Sequence, residues 1–218
     1  MNWETSFPKE IAGVRVPDTS LVLGAIRLAR EVSSPLLFNH CIRTFVFGSL
    51  IAEKHSVKYD AEVACVAAVL HDLGLTDHAH GPRRFEVEGA DAAKRFALKH
   101  EMSEEKAEIV WDAIALHTAS GISIEKRMEI ALTQIGASVD VFGRGLESIS
   151  ESGLKAVLEQ FPRLDFKNGF LELLTRSWSS KPPMVTAFTF GAEICRNHIP
   201  GFQCPTFSQA MHGAGFSS

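Results

Sequence analysis

The chain holds one tyrosine against fifteen phenylalanines. That balance argues against a polar recognition surface and for a dry, helix-packed core. Cysteine is sparse and scattered. Cys41, Cys65, Cys195 and Cys204 form no CxxC pair, which reads as reduced thiols packed as small hydrophobes in a cytoplasmic protein. Neither sign of charge dominates: 22 Lys and Arg stand against 26 Asp and Glu, for a net charge of −4. No basic excess points to nucleic acid or to an anionic membrane surface. The first ten residues, MNWETSFPKE, lack a basic flank leading into an apolar core, so no signal peptide is expected. No uninterrupted apolar run approaches the length of a membrane span. Strand signals are nearly missing, with VTAFTF (185–190) the one ambiguous piece, and there is no internal repeat or glycine-rich phosphate loop.

Helical periodicity fills most of the chain's 218 residues, a length that suits one domain. The pattern predicts an all-α fold. Asp18 or Thr19 would cap a helix carrying Leu21, Ala25, Leu28 and Val32, and Pro35 restarts the chain into a long helix over 36–54. Asp60 would cap the next helix, with Glu62 in its first turn and Gly74 just past its end. Val63–Leu70 is apolar all round, which predicts a central, buried helix. Residues 75–87 read as a loop around Gly81-Pro82. Helices follow near 88–100, 103–118 and 124–143, and shorter ones near 151–160, 165–178 and 185–197. The core is expected to span about residues 20–198, with a Gly/Ser-rich tail, 205–218, loosely ordered.

The stretch LHDLGLTDHAH (70–80) ends that central helix with three histidines and two aspartates. A His-Asp dipeptide alone is common. Here it closes a helix without a polar face, so at least one member points into protein, and a buried carboxylate needs a partner. Three further residues strengthen it. His40 lies in FNHCIRTFVFG, with Arg43 and Thr44 on its face. Asp140 lies late in RMEIALTQIGASVDVFG, with Gly136 and Ala137 one turn before it; these small residues admit either a liganded metal or a close helix crossing. His117 ends EIVWDAIALHTA on the inward stripe of Val110, Ala113 and Ile114. His40, His71, Asp72 and Asp140 make a mixed nitrogen and oxygen set on three helices. Such a set suits one divalent transition-metal ion, zinc first and iron or manganese as alternatives, better than calcium or a thiolate-held zinc. His78 and His80 could add ligands for a second ion.

This pattern resembles the HD-domain superfamily, whose signature is H…HD…D on a helical bundle. NHCIRTFVFG, CVAAVLHDLGLT, RRFEVEGADAA, AEIVWDAIALHT, ALTQIGASVDVFG and SWSSKPPMVTAF are similar, in order, to the cyanamide hydratase-like branch over roughly residues 35–190. The resemblance implies a metal held by His40, His71, Asp72 and Asp140, and hydration of a small nitrile-type substrate, as in cyanamide to urea. The chain departs from the branch in two places. It has Cys41 where a serine is usual after Asn-His, and Lys181-Pro182 is followed by Pro183 where a tryptophan is usual.

The leading expectation is therefore a metal-dependent hydratase or hydrolase. His117, Asp77, Glu86 and His78 are the candidates for moving protons, with His117 favoured for its inward stripe. Asn39 and Arg43, beside His40, are the substrate-binding candidates. A second reading is an HD phosphohydrolase acting on a nucleotide or other phosphate ester, with Arg43, Arg83 and Arg84 as its cationic cradle. A third is a non-catalytic helical regulatory module. The partner expected is a small-molecule substrate, with no nucleic acid or membrane, and a homo-oligomer is left open.

Overall fold

A computed structural model describes residues 7–216. Residues 1–6 and 217–218 lie outside it, and with them most of the polar N-terminal stretch and the end of the tail. Among the described residues, eleven α-helices and one two-residue hairpin make up the regular structure, with short 3-10 turns between. The hairpin pairs Glu10–Ile11 (β1) with Val14–Arg15 (β2) antiparallel, and the sequence pattern did not reveal it. Its turn residues Ala12 and Gly13 both take positive φ, as a tight two-residue hairpin requires.

Four helices form the frame of the bundle: α2 (Pro35–Lys54), α3 (Ala61–Leu70), α5 (Glu104–Leu116) and α6 (Met128–Phe142), with α1 (Ser20–Val32) against α3. Thr19 caps α1, Ser34 caps α2, Ser103 caps α5, and Asp60 accepts from the backbone N–H groups of Glu62 and Val63 to cap α3. Every residue of Val63–Leu70 is buried, so α3 is the central rod its all-apolar sequence predicts. By length and composition α2 is apolar enough to cross a bilayer, although Asn39, His40 and Arg43 interrupt its apolar run. In the fold 72% of its most apolar window is buried against the other helices.

The α2–α6 crossing is close because glycine sits on both sides of it. A Cβ on Gly136 would stand 1.9 Å from the Thr44 carbonyl oxygen, and one on Gly48 would stand 2.7 Å from that of Leu132. Of the two roles open to the small residues before Asp140, Gly136 thus serves helix packing.

The segment after the His-Asp pair is more regular than the predicted loop. It forms 3-10 turns at Leu73–Leu75 and Asp77–Ala79, and α4 (Phe85–Lys99) starts three residues before the expected position. Phe85 and Glu86 are buried, so tertiary contact rather than the Gly81-Pro82 break sets that start. Gly74 does not act as a helix stop. It lies inside the first turn, where a Cβ would meet the Phe85 carbonyl oxygen at 1.9 Å, and this lets α4 pack onto the motif.

α7 (Glu151–Gln160) and α8 (Phe166–Ser179) follow expectation closely. The helix expected at 185–197 is divided into α9 (Pro183–Thr186) and α10 (Phe190–His198), because Phe188 between them takes φ 63°. VTAFTF is therefore no strand. A second apolar cluster, built on Leu37, Leu75, Phe85, Leu174, Trp178 and Ile194, fastens α8 and α10 to the bundle. The tail contains α11 (Phe207–His212), started by a capping box between Thr206 and Gln209, with its residues exposed.

Gly136→Ala tests the crossing. It is expected to cost about 1–3 kcal/mol by forcing α2 and α6 apart, read as a lower denaturation midpoint at unchanged slope. A wild-type midpoint would show that the crossing tolerates a methyl group.

Candidate metal centre

Three histidines from three helices surround one aspartate. His40 lies in the second turn of α2, His71 and Asp72 follow the last residue of α3, and His117 follows the last residue of α5. The Nε2 atoms of His40 and His71 stand 3.5 and 3.3 Å from Asp72 Oδ2, and that of His117 stands 3.6 Å from Oδ1. His40, His71 and Asp72 are each 1% exposed and His117 is 8% exposed.

The far nitrogen of each ring is anchored. His71 Nδ1 lies 2.7 Å from the Ala68 carbonyl oxygen, and His117 Nδ1 lies 2.6 Å from that of Ile114. A carbonyl oxygen only accepts, so both Nδ1 atoms carry a proton and the Nε2 atoms are the ones that face Asp72. His40 Nδ1 donates to Asp140 Oδ2 at 2.7 Å. Burial opposes ionisation of Asp140, but His40 and Arg43 outweigh it and hold this carboxyl well below the usual carboxylate range.

Asp72 is different. Both of its carboxylate oxygens are buried with no hydrogen-bond partner. Burial disfavours its charge, yet the surrounding histidines, His71 foremost, keep it ionised. The charge acts back on the rings. Burial would lower His71, but Asp72 and Cys41 beside it raise it well above its ordinary value. Burial dominates at the other two: His40 is lowered, and His117 is pushed down to about 4. A buried anion ringed by imidazole nitrogens, with no donor in bonding geometry, is a donor set for a cation. Candidate ligand atoms on His40, His71 and Asp72 all lie within 4.8 Å of one another, and the cluster fits a divalent metal.

The walls are apolar. The His40 ring packs 4.9 Å from Phe166 and 5.0 Å from Phe170, one turn apart on α8, and these two stack on each other. Phe85 meets His117 edge-on at 5.7 Å. Two surface clefts, of about 770 Å³ along α8 and about 570 Å³ beside Phe7 and Phe38, are not lined by any of the four residues. The cluster is buried among these aromatic walls.

Residues 37–142 match the HD domain family model. The segment is an HD domain. Two cyanamide hydratases of Saccharomyces cerevisiae, DDI2 and DDI3, are each 28% identical to this chain over 160 residues, covering 71% of this chain and 70% of the relative.

The HD domain does not bring all the residues named from sequence to the cluster. Asp140 faces His40 Nδ1 and two arginines. Arg43 Nε and Nη2 donate to its two oxygens at 2.8 and 2.7 Å, and Arg163 Nη1 donates to Oδ1 at 2.7 Å. Arg43 is fully buried and also donates to the Phe161 and Pro162 carbonyls, so it is a structural clamp with its donors in use. Asn39 likewise donates to the Pro162 carbonyl. Asp77, His78 and His80 are exposed on the turn beyond the motif. Glu86 is fully buried and accepts from Arg84 and from Thr118, the neighbour of His117. Sequence reasoning missed Arg163, Phe166 and Phe170. A Pro-Arg pair before a helix carries no signal of reaching back to Asp140, although Phe166 and Phe170 at i and i+4 do mark an apolar face.

Arg43→Ala is expected to cost about 3–5 kcal/mol of stability, since it strips the buried Asp140 of two donors and removes a donor from the Phe161 and Pro162 carbonyls, the second of which keeps Asn39. Chemical denaturation measures it; a loss under about 1 kcal/mol would show that Arg163 alone carries the clamp.

Proposed function

We propose that this chain is a metal-dependent hydratase that adds water to a small nitrile-type substrate, with cyanamide, giving urea, the first to test. His40, His71 and Asp72 would hold one divalent transition-metal ion, zinc before iron or manganese. The observation that carries this reading is the buried Asp72 carboxylate, without a hydrogen-bond donor and faced by imidazole nitrogens. The relatives' name supplies the substrate class, and the buried, apolar setting supports it: a cluster walled by Phe85, Phe166 and Phe170 suits a reactant of a few atoms. Residues of about 20–198 are read as one working domain, in which α8 roofs the bundle.

When bound, a divalent ion would acidify water and polarise the substrate. The protein's own part is placement and proton handling. The carbonyls of Ala68 and Ile114 keep their rings' Nε2 atoms turned inward. Phe166 and Phe170 exclude bulk water beside His40. Adding water across a nitrile puts oxygen on carbon and hydrogen on nitrogen, so a proton must reach the nitrogen. Glu86, buried and bonded to Thr118 Oγ1 at 2.8 Å next to His117, would manage that proton, and this contact supports the role. Asp77 and His78 are exposed on the turn beyond the motif.

The phosphohydrolase reading asks for free cations beside the cluster. Arg43 is spent on Asp140, Arg83 on Glu88 and Asp91, and Arg84 on Glu86. A non-catalytic module would have no use for an unpartnered buried carboxylate.

The deciding assay offers cyanamide, small nitriles and nucleotides to the metal-loaded protein. Urea from cyanamide is expected, and phosphate release without urea or amide would overturn the assignment. A thermal measurement checks the site itself. Excess zinc or manganese is expected to raise the melting temperature of metal-stripped wild type but not that of Asp72→Asn, with helicity alike in both. An equal rise in the variant would remove Asp72 from the site.

A further inference from the structure

The inner atoms of the cluster are shielded. His40, His71 and Asp72 are each 1% exposed, and both Asp72 oxygens are buried. A reactant that meets them must displace part of their cover. We propose that the chain from α8 to α10 is a hinged roof, pivoting at Leu164 and Asp165 and latched shut by Lys181 on Gly81, and that the cluster is reached by releasing this latch. Access of this kind is needed whatever the cluster binds.

The roof is separable from the bundle. α10 packs on α8, and the apolar cluster between them is distinct from the main core. Leu37, Leu75 and Phe85 are the bundle's buried residues in it. One stretch of chain joins the two parts, and it changes character abruptly. Pro162 and Arg163 are bolted down: Arg43 Nη1 and Asn39 Nδ2 donate to the Pro162 carbonyl at 3.1 and 2.9 Å, and Arg163 holds Asp140. The next two residues, Leu164 and Asp165, take φ of 50° and 54°, a left-handed pair without glycine. Leu164 is also half exposed, so packing does little to hold it. A strained pair between a fixed anchor and a separately packed helix is suited to absorb a rotation.

The far end of α8 carries the latch. Lys181 is buried, and its Nζ donates to the Gly81 carbonyl at 2.6 Å. Beside it, Ser180 Oγ stands 3.5 Å from His80 Nε2. Both partners belong to the turn that follows the His-Asp pair. Trp178, just before the latch, packs on Phe85, and Phe85 packs on His117. Lifting this end uncovers the His117 side of the cluster first, whereas Phe166, next to the pivot, moves least. The shut form also leaves polar groups unsatisfied. Ser177 Oγ and Trp178 Nε1 on α8 are buried without hydrogen-bond partners, as are the Asp72 oxygens. Returning such groups to water lowers the cost of opening.

Cys41, buried beside His71, reports opening without turnover or metal, and Cys65 within α3 reports global unfolding. The full chain is treated with iodoacetamide under native conditions, and each cysteine is followed by peptide mass spectrometry. In wild type Cys41 is expected to react faster than Cys65. Lys181→Met should speed Cys41 roughly tenfold and leave Cys65 unchanged, because it removes a charged hydrogen bond from the shut form alone. Equal rates at the two cysteines in wild type, or an unaltered Cys41 rate in the variant, would overturn the proposal. Should that variant misfold, a disulfide formed in the double variant His80→Cys, Ser180→Cys decides. Oxidation should slow Cys41 and reduction restore it; an undiminished rate in the oxidised form would overturn the latch. Neither rate depends on metal, so a failure here is distinct from a failure of metal binding.

Discussion

Asp72 keeps a negative charge inside the core with no donor on either oxygen. A folded chain retains such a group only where the surroundings over-determine it. Here the surroundings are three imidazoles whose outer nitrogens are pinned by Ala68, Ile114 and Asp140, so each turns its Nε2 toward the carboxylate. The arrangement trades folding stability for a standing demand for positive charge. The fold accommodates it with an apolar central helix and close helix crossings that leave the cluster no freedom to relax.

Asp140 shows the contrasting solution to the same problem. It too is buried and ionised, but two arginines and a histidine satisfy it completely. Two carboxylates joined through one histidine thus have opposite states: one saturated and rigid, the other open. His40 connects them, with Nδ1 on the saturated side and Nε2 on the open side. Rigidity on one side fixes the direction of the lone pair on the other.

The outer helices complete the site by excluding water. α8 lays Phe166 and Phe170 against His40, and Trp178 further along the helix packs on Phe85, which in turn touches His117. An apolar wall lowers the local dielectric, so the charge of Asp72 and any cation drawn to it interact more strongly than in water. The wall also restricts reactants to small ones.

Local sequence determined a good deal. The all-round apolar run Val63–Leu70 cannot lie on a surface, so α3 had to be central, and Asp60 and Ser34 mark helix starts by side-chain chemistry alone. His71 and Asp72 had to be buried, because they continue such a helix. Tertiary structure decided the rest. Nothing local says that Gly136 faces Thr44 rather than a ligand, that Arg163 reaches back to Asp140, or that Phe188 breaks a helix pattern with a left-handed residue. Nor could spacing distinguish His117 from Asp140 as neighbours of Asp72. Periodicity reports which face of a helix points inward, but the direction of a lone pair depends on what holds the other end of the side chain, and those partners come from distant parts of the chain.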